Sequence, residues 1–390
     1  MKSVLFYSDA PQFGGHEAMT LEAVRCVCRN HDVNVSAMFY EGNSRFQSEL
    51  AAIAESTGNL SLIPLQIKAG SLQAFRSLLS IKKVNYVQGL MKRLSPDLVL
   101  VSQGRIEASS LGVLAAKRAG FRTLSYLPMA HEVSVSGTPF AIRIREKVNR
   151  HLYSLPDKFI TISEHAREML YLRGVTQPIS VVPNCVTVQP ATPSEGQSFR
   201  SEHGISPTEY VVGVVARIDF RQKAQDFAVE AISQSRHKLA GFKFVFVGEG
   251  PDERKLAEMI ASRGLSAIVQ RVPWCDNPGK VYAGLNMLLI PSRFEGVPLV
   301  MLEAMLCELP VVAANIDGMA ELLPPDWLFP AEDPDAVVSQ ILSVKKADNT
   351  KSLEFNRNRV MQDFSAARFC DSMCEAILER KPARALCAQP

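Results

Sequence analysis

The twenty residues 291–310, Pro-Ser-Arg-Phe-Glu-Gly-Val-Pro-Leu-Val-Met-Leu-Glu-Ala-Met-Leu-Cys-Glu-Leu-Pro, hold the most specific chemistry in the chain. Glu295 falls in a loop after a short apolar run, and Glu303 falls on the helix pattern that starts near Pro298. Seven residues separate them. One carboxylate therefore comes from the loop and the other from about two turns into the helix, so both can face one ligand. Carboxylates accept hydrogen bonds from vicinal hydroxyls, the kind that sugar and ribose rings present. Gly296 and Val297, just ahead of the helix, would offer backbone N–H groups to an anion. Two carboxylates at this spacing say little alone. Set between a strand, Pro-Ser, Glu-Gly, a helix and Pro-Val-Val, they say much more.

Three other turns carry chemistry-bearing residues. Val214-Val-Ala-Arg217-Ile-Asp-Phe-Arg-Gln-Lys223 ends an apolar run in a guanidinium and, six residues later, an ammonium. Two such cations could grip a diphosphate; a solvated basic loop accounts for the same residues. Val247-Gly248-Glu-Gly250-Pro251 leads into a helix whose Pro251 suits the first helical position. It reads either as a contact to phosphate or nucleobase or as a plain strand-to-helix turn. Asp9-Ala-Pro-Gln-Phe-Gly14-Gly15-His-Glu17 joins two glycines to a helix start, open to a phosphate or merely tight. It is not G-x-G-x-x-G, so a dinucleotide cofactor gains little support.

The elements that must position these turns follow from the apolar pattern. Short buried-strand runs stand at 4–7, 33–39, 60–65, 98–101, 123–127, 159–162 and 179–182, with helix patterns between them, notably 16–29, 72–94, 107–119, 140–155 and 163–172. The polar, Pro-containing stretch 189–198 reads as a linker. The alternation then restarts with strands at 210–216, 243–247, 268–272, 287–290 and 310–313. All-apolar strands alternating with helices imply α/β architecture with parallel sheets covered on both faces. Two such runs split by a linker imply two Rossmann-like domains facing each other across a central cleft. In these sheets ligands bind at the carboxyl ends of strands, where all four turns lie.

Composition bounds the function. At 390 residues, with 47% apolar and 21% charged side chains, the chain suits two to three globular domains and is neither disordered nor fibrous. No apolar run approaches the ~18 residues of a membrane span, and the short run 4–7 reads as a first strand rather than a signal-peptide core. Eight cysteines without a C-x-x-C framework suggest reduced thiols and a cytoplasmic protein. The net charge of +3 hides an asymmetry: residues 1–190 carry 21 basic against 14 acidic side chains, residues 191–390 carry 22 against 26. Only the first half is suited to an anionic surface. Nucleic acid is disfavoured, since the basic residues are not interleaved with aromatics.

Arg217, Lys223, 248–251, Pro291-Ser292, Glu295-Gly296, Glu303-Ala-Met305 and Pro310-Val-Val312 together resemble the donor-binding half of retaining glycosyltransferases of the GT-B fold, of the "glycosyl transferases group 1" type, also called glycosyltransferase family 4. Gly14-Gly15-His-Glu17, Ile160-Thr-Ile-Ser163-Glu and Val182-Pro183-Asn184 resemble its first half, so the likeness spans roughly 3 to 345. The resemblance implies an acceptor domain at 1–188, a linker at 189–207, a nucleotide-sugar domain at 208–365, and a C-terminal helix at 366–390 that packs back toward the first domain and ends in a frayed tail. Arg217 and Lys223 would hold the donor's diphosphate and stabilise the leaving group, Glu303 the ribose, and Glu295 with Gly296, Val297 and Pro298 the sugar. Gly248 and Gly250 would lie near the phosphates or base, the backbone at 272–274 with Trp274 would face the nucleobase, and Gly14 and Gly15 would meet phosphate or sugar. His131, in Pro128-Met-Ala-His131-Glu132, resembles the family's active-site histidine.

The implied reaction moves a glycosyl group from a nucleotide-diphosphate-sugar to a hydroxyl of a glycan or lipid-linked acceptor, with retention. The nucleotide-sugar is a co-substrate. No cofactor is implied, and no D-x-D pair stands where a metal would bridge the diphosphate. The patterns at 72–93 and 140–155 are apolar at helical spacing with a cationic remainder. They read either as core-facing helices with solvated basic faces or as peripheral contacts to the anionic inner face of a membrane. Asp317-Gly318 replaces the family's Gly-Gly phosphate turn, and a carboxylate there would repel a diphosphate unless it points away. Glu308 stands where the family usually has glycine. A nucleotide-sugar epimerase and a non-catalytic nucleotide-binding subunit are the alternatives; product analysis separates the first and donor hydrolysis the second.

Overall fold

The computed structural model describes residues 2–70, 72–130 and 139–379. The chain divides into two compact units, 1–184 with 367–390, and 185–366.

The first unit is built on β1 (Lys2–Ser8), β2 (Val33–Tyr40), β3 (Leu60–Leu65), β4 (Leu98–Ser102), β5 (Arg122–Tyr126), β6 (Lys158–Thr161) and β7 (Ile179–Val181). All pairings are parallel and the spatial order is β3-β2-β1-β4-β5-β6-β7. Val4 sits opposite both Val35 and Leu98, so β1 is central. Its residues from Val4 to Ser8 are all buried, as is every residue of β4. This is the burial that a strand covered on both faces requires. The C-terminal helix Ala366–Leu378 closes this unit. Lys2 Nζ donates to the Leu378 carbonyl at 3.0 Å, Lys158 Nζ to the Ala376 carbonyl at 2.8 Å, and Phe369, Met373 and Ile377 are buried.

The second unit is built on β8 (Tyr210–Val215), β9 (Phe242–Val247), β10 (Val269–Val272), β11 (Met287–Ile290), β12 (Val311–Ala314) and β13 (Leu328–Phe329). These strands are again all parallel, in the order β10-β9-β8-β11-β12-β13. Both sheets therefore have a switch point, where chain order reverses: between β1 and β4 in the first, and between β8 and β11 in the second. Loops leaving those paired strands diverge and leave a crevice at the carboxyl edge.

Two expectations are corrected, and one strand is added. The stretch read as a linker holds the helix Pro193–Glu202, whose Thr192 and Glu195 form a reciprocal capping box with a proline at the first turn. Gly196 of that helix packs so closely on helix Pro278–Gly284 that a Cβ there would come 2.2 Å from the Ala283 carbonyl. The single helix expected over 72–94 is two, Gln73–Leu79 and Ile81–Leu94, broken at Ser80, whose ψ of 60° is not helical. The two-residue strand β13, too short to leave a periodic signal, was not foreseen. Among the described residues seven cysteines are free, five of them buried, and no helix is long and apolar enough to cross a membrane.

Candidate functional site

At the carboxyl edge of the second sheet, five strand-end turns are tied to one another in series. Gly248 N–H, after β9, donates to the carbonyl of Val272 at the end of β10, at 3.0 Å. The turn after β8 is held on the turn after β9 by Ala216 N–H to Val247 O (3.0 Å) and Ile218 N–H to Glu249 O (2.9 Å). Arg293 N–H, after β11, donates to Gln222 O at 2.8 Å, which joins the β8 and β11 turns across the switch point. Glu295 N–H then donates to the Asp317 carboxylate, after β12, at 2.9 Å.

This chain of contacts explains two glycines. Gly248 has φ +140°, and a Cβ there would come 2.1 Å from Ala216 O; at Gly250 it would come 2.2 Å from Ile218 O. The cause for glycine at both positions is the backbone of the Arg217 turn packed against them. Their role is to seat that turn.

Lys223 and Glu295, 72 positions apart in the chain but adjacent in the fold, meet at 2.5 Å, Nζ to Oε1. Glu295 is 5% exposed. A buried carboxylate is held by its cation, and in return it fixes where that ammonium stands. Arg217 lies in the same turn and is more open. Its Nη2 donates to Asp219 at 2.9 Å and to the Gln222 side-chain oxygen at 3.3 Å. The turn is braced from below by Gln225, which donates to Arg217 O at 2.9 Å, and by Arg293, which forks onto the Asp226 carboxylate at 3.0 and 3.1 Å. The bond to Asp226 raises the Arg293 pKa. Asp219, Gln222, Arg293 and Asp226 were not singled out from sequence; Arg293, two residues before Glu295, was the one visible signal.

Glu303, on the helix Leu299–Leu306, takes its hydrogen bond from Tyr282 Oη of the helix Pro278–Gly284, at 2.5 Å. Burial raises the Glu303 pKa, opposed by that hydrogen bond. Tyr282 is pushed well above its ordinary value, first by burial and then by the Glu303 charge. Gly296 and Val297 form the turn ahead of this helix, with Val297 buried and Pro298 at the cap. Trp274 follows β10 and is 38% exposed.

Asp317 is engaged within the fold. Its carboxylate accepts the Glu295 backbone N–H, and a Cβ on the next residue, Gly318, would lie 2.5 Å from Gly296 O. The Asp317-Gly318 turn is a brace behind Glu295-Gly296, so its carboxylate is engaged in holding the loop.

In the first unit, Gly14 caps the helix Gly15–Cys28 in extended conformation at the carboxyl end of β1. Beside it lies a polar group at that sheet's switch point. Asp9 is fully buried, accepts from Ser109 N and Oγ at 3.1 Å each, and is pushed up to about 6 by burial against those bonds. His16 Nε2 pairs with Ser102 Oγ at 2.7 Å, and burial lowers the His16 pKa to about 3. His131 lies outside the described residues.

Comparison with known proteins places this geometry. Residues 209–346 match the family model "Glycosyl transferases group 1". The chain is 29% identical over 160 residues to a D-inositol 3-phosphate glycosyltransferase of Segniliparus rotundus, covering 38% of this chain and 34% of that one. It is 26% identical over 269 residues to the alpha-monoglucosyldiacylglycerol synthase of Acholeplasma laidlawii, covering 63% and 65%. It therefore spans about a third of the length of the first relative and just under two thirds of the second. Anabaena HepE, solved in complex with UDP and glucose, superposes with a TM-score of 0.77 at 17% identity over 97% of this chain and 100% of that one, which establishes the fold. The fold is that of GT-B glycosyltransferases, and residues 209–346, within the second unit, are the part that matches the glycosyl transferases group 1 model.

Proposed function

We propose that the protein is a retaining glycosyltransferase that moves a sugar from a nucleotide-diphosphate-sugar to an acceptor hydroxyl. The observation that carries the reading is the pairing of Lys223 with buried Glu295, beside Arg217, at the switch point of a sheet matched by the family model. Chemistry of that kind needs a fixed cation where negative charge grows on a leaving diphosphate. An ammonium locked by a buried carboxylate is already in place when the charge develops, which is the condition for electrostatic catalysis. One preorganised donor of this sort is worth ~3 kcal/mol, about two orders of magnitude in rate. Arg217 adds a fork suited to phosphate oxygens. Glu303, oriented by Tyr282, is assigned the ribose, and the leaving phosphate is assigned the acceptor's proton. The reading gives no metal and no cofactor a part.

The solved likeness to a protein in complex with UDP and glucose supports a uridine nucleotide as the first donor class to try. The likeness to a diacylglycerol-glucosylating relative supports a lipid-linked or glycan acceptor. The test is release of nucleoside diphosphate from UDP-, GDP- and ADP-sugars, followed by the anomeric configuration of the product by NMR. Release from one donor class, lost in Lys223→Ala, and a product with the donor's configuration are expected. Nucleotide binding without turnover over all three would leave a non-catalytic subunit instead, and an inverted product would refute retention.

A further inference from the structure

Three thiols meet where the first helix of the first unit touches the C-terminal helix. Cys26 belongs to the last turn of the helix Gly15–Cys28, while Cys370 and Cys374 stand one turn apart on the helix Ala366–Leu378. Cys374 Sγ donates to the Cys26 carbonyl at 3.6 Å and accepts from Asn30 Nδ2 at 3.6 Å. The Cys26 and Cys370 side chains are hydrogen-bonding partners, and the exposed Arg29 reaches Cys370 as well. Sulfurs from both ends of the chain are thus gathered in one place.

Packing alone does not call for three sulfurs here. A cysteine buried in apolar surroundings is a small, inert side chain. Cys28 and Cys185, 0% and 1% exposed, fit that description, and burial pushes the Cys28 thiol up to about 11. Cys370 and Cys374 differ, keeping 6% and 8% exposure. Cys370 is held below the ordinary thiol range, first by the hydrogen bond from Cys26 and then by Cys374, with the Arg29 charge adding to them against the cost of burial. A thiol favoured as thiolate beside a cation, with a second thiol in reach, has the two features of an oxidisable pair.

We infer that Cys370 is a site of peroxide oxidation and closes a reversible disulfide with Cys26, stapling the C-terminal helix to the first helix of the unit. The Cys370 thiolate attacks one oxygen of hydrogen peroxide and the O–O bond breaks. The departing hydroxide takes up the proton that Cys370 released and becomes water, leaving a sulfenic acid on Cys370. The Cys26 sulfur then attacks the Cys370 sulfur. An S–S bond forms, the S–O bond breaks, and the leaving hydroxide takes the Cys26 proton as a second water. Two thiols lose two electrons and peroxide gains them; a dithiol reductant reverses the change by exchange. Cys374 is the poorer partner for Cys370, because residues four apart on a helix hold their Cβ atoms about 5–6 Å apart, beyond the roughly 3.5–4.5 Å that a disulfide spans. The cluster contains none of the residues assigned to the donor, so its test does not stand or fall with the proposed reaction.

The experiment reduces the full chain with dithiothreitol, desalts it, exposes it to hydrogen peroxide, and denatures it in N-ethylmaleimide before digestion with trypsin. Cleavage after Arg25, Arg29, Arg368 and Arg380 releases Cys26 together with Cys28 and Cys370 together with Cys374, so fragment masses assign the sulfurs. A Cys26–Cys370 cross-link that disappears on renewed reduction is expected. The oxidised form should melt roughly 5–10 °C higher. Cys26→Ser should leave Cys370 as a sulfenic acid that dimedone traps, and Cys374→Ser should still cross-link. Cys370 should react roughly tenfold faster than the more exposed Cys307, whose thiol burial pushes up to about 11. A cross-link between any other pair, Cys370 left reduced while Cys275 and Cys307 oxidise, or an oxidised form that melts with the reduced one would each overturn the assignment.

Discussion

Buried Glu295 against Lys223 decides more about this site than any other pair. The resemblance assigned both residues to a ligand, yet in the fold each is the other's partner at 2.5 Å. Neither role excludes the other, because an ammonium has three donors and one is used here. A second residue-scale pair, Asp9 and His16 in the first unit, makes pH an informative variable. Burial lowers His16 from 6.5 to about 3, so between those values the unfolded chain holds a proton that the folded chain lacks. Acid therefore destabilises, by up to ~1.4 kcal/mol per pH unit. Asp9 is raised from 3.8 to about 6, so in that window the folded chain holds the extra proton and acid favours folding. The two slopes oppose each other. Urea midpoints measured from about pH 6.5 to pH 4 should fall more steeply in Asp9→Asn than in wild type, and less steeply in His16→Gln. Parallel pH profiles for all three proteins would show that these burial effects are absent.

Elements set the site through their turns. In the second unit, hydrogen bonds from 248 to 272, 218 to 249, 293 to 222 and 295 to 317 make the carboxyl ends of five strands one connected edge. Gly250→Ala should disturb that edge, because its Cβ would sit 2.2 Å from the Ile218 carbonyl, whose backbone cannot yield cheaply. Overpacking of this kind costs about 1–3 kcal/mol. A lower melting temperature together with weaker nucleotide binding is the expected result; unchanged values in both would mean that the turn does not seat Arg217. Much of this level was legible in the sequence. Twelve strands could be placed from apolar runs, most sharply the central ones such as β1, β4 and β11, whose burial on both faces leaves few polar residues to blur them. The break at Ser80 left no mark, since neither Gly nor Pro stands there and the apolar spacing continues across it. Helix Pro193–Glu202 was missed for a different reason. Its prolines and serines resemble loop composition, although Thr192-Pro-Ser-Glu195 is itself a capping-box pattern with Pro at the first turn. The partner of Asp317 was not legible either, because spacing places a residue near a phosphate turn but does not say which backbone N–H its carboxylate will take.

At the scale of the molecule, charge and burial divide the work between the two units. The first half is the basic one, and six of its exposed cations, Lys68, Arg76, Lys82, Lys83, Lys92 and Arg93, fall in the acid-free stretch 56–96. The second half is mildly acidic, and the cations assigned to the donor stand among carboxylates that hold them in place, Lys223 on Glu295 and Arg217 on Asp219, with Arg293 on Asp226 bracing the turn beneath them. A cationic surface and a cationic site are thus built differently, one left free for many weak contacts and the other fixed for a single geometry. The central claim concerns the second. Calorimetric titration of the protein with UDP-glucose tests it most directly, with Lys223→Ala, Arg217→Ala and Lys82→Gln compared after each is shown to melt cooperatively. Charge-assisted hydrogen bonds are worth about 1.5–3 kcal/mol. Lys223→Ala and Arg217→Ala should each weaken binding roughly ten- to a hundredfold, while Lys82→Gln binds as wild type does. Wild-type affinity retained in both Lys223→Ala and Arg217→Ala would contradict the account.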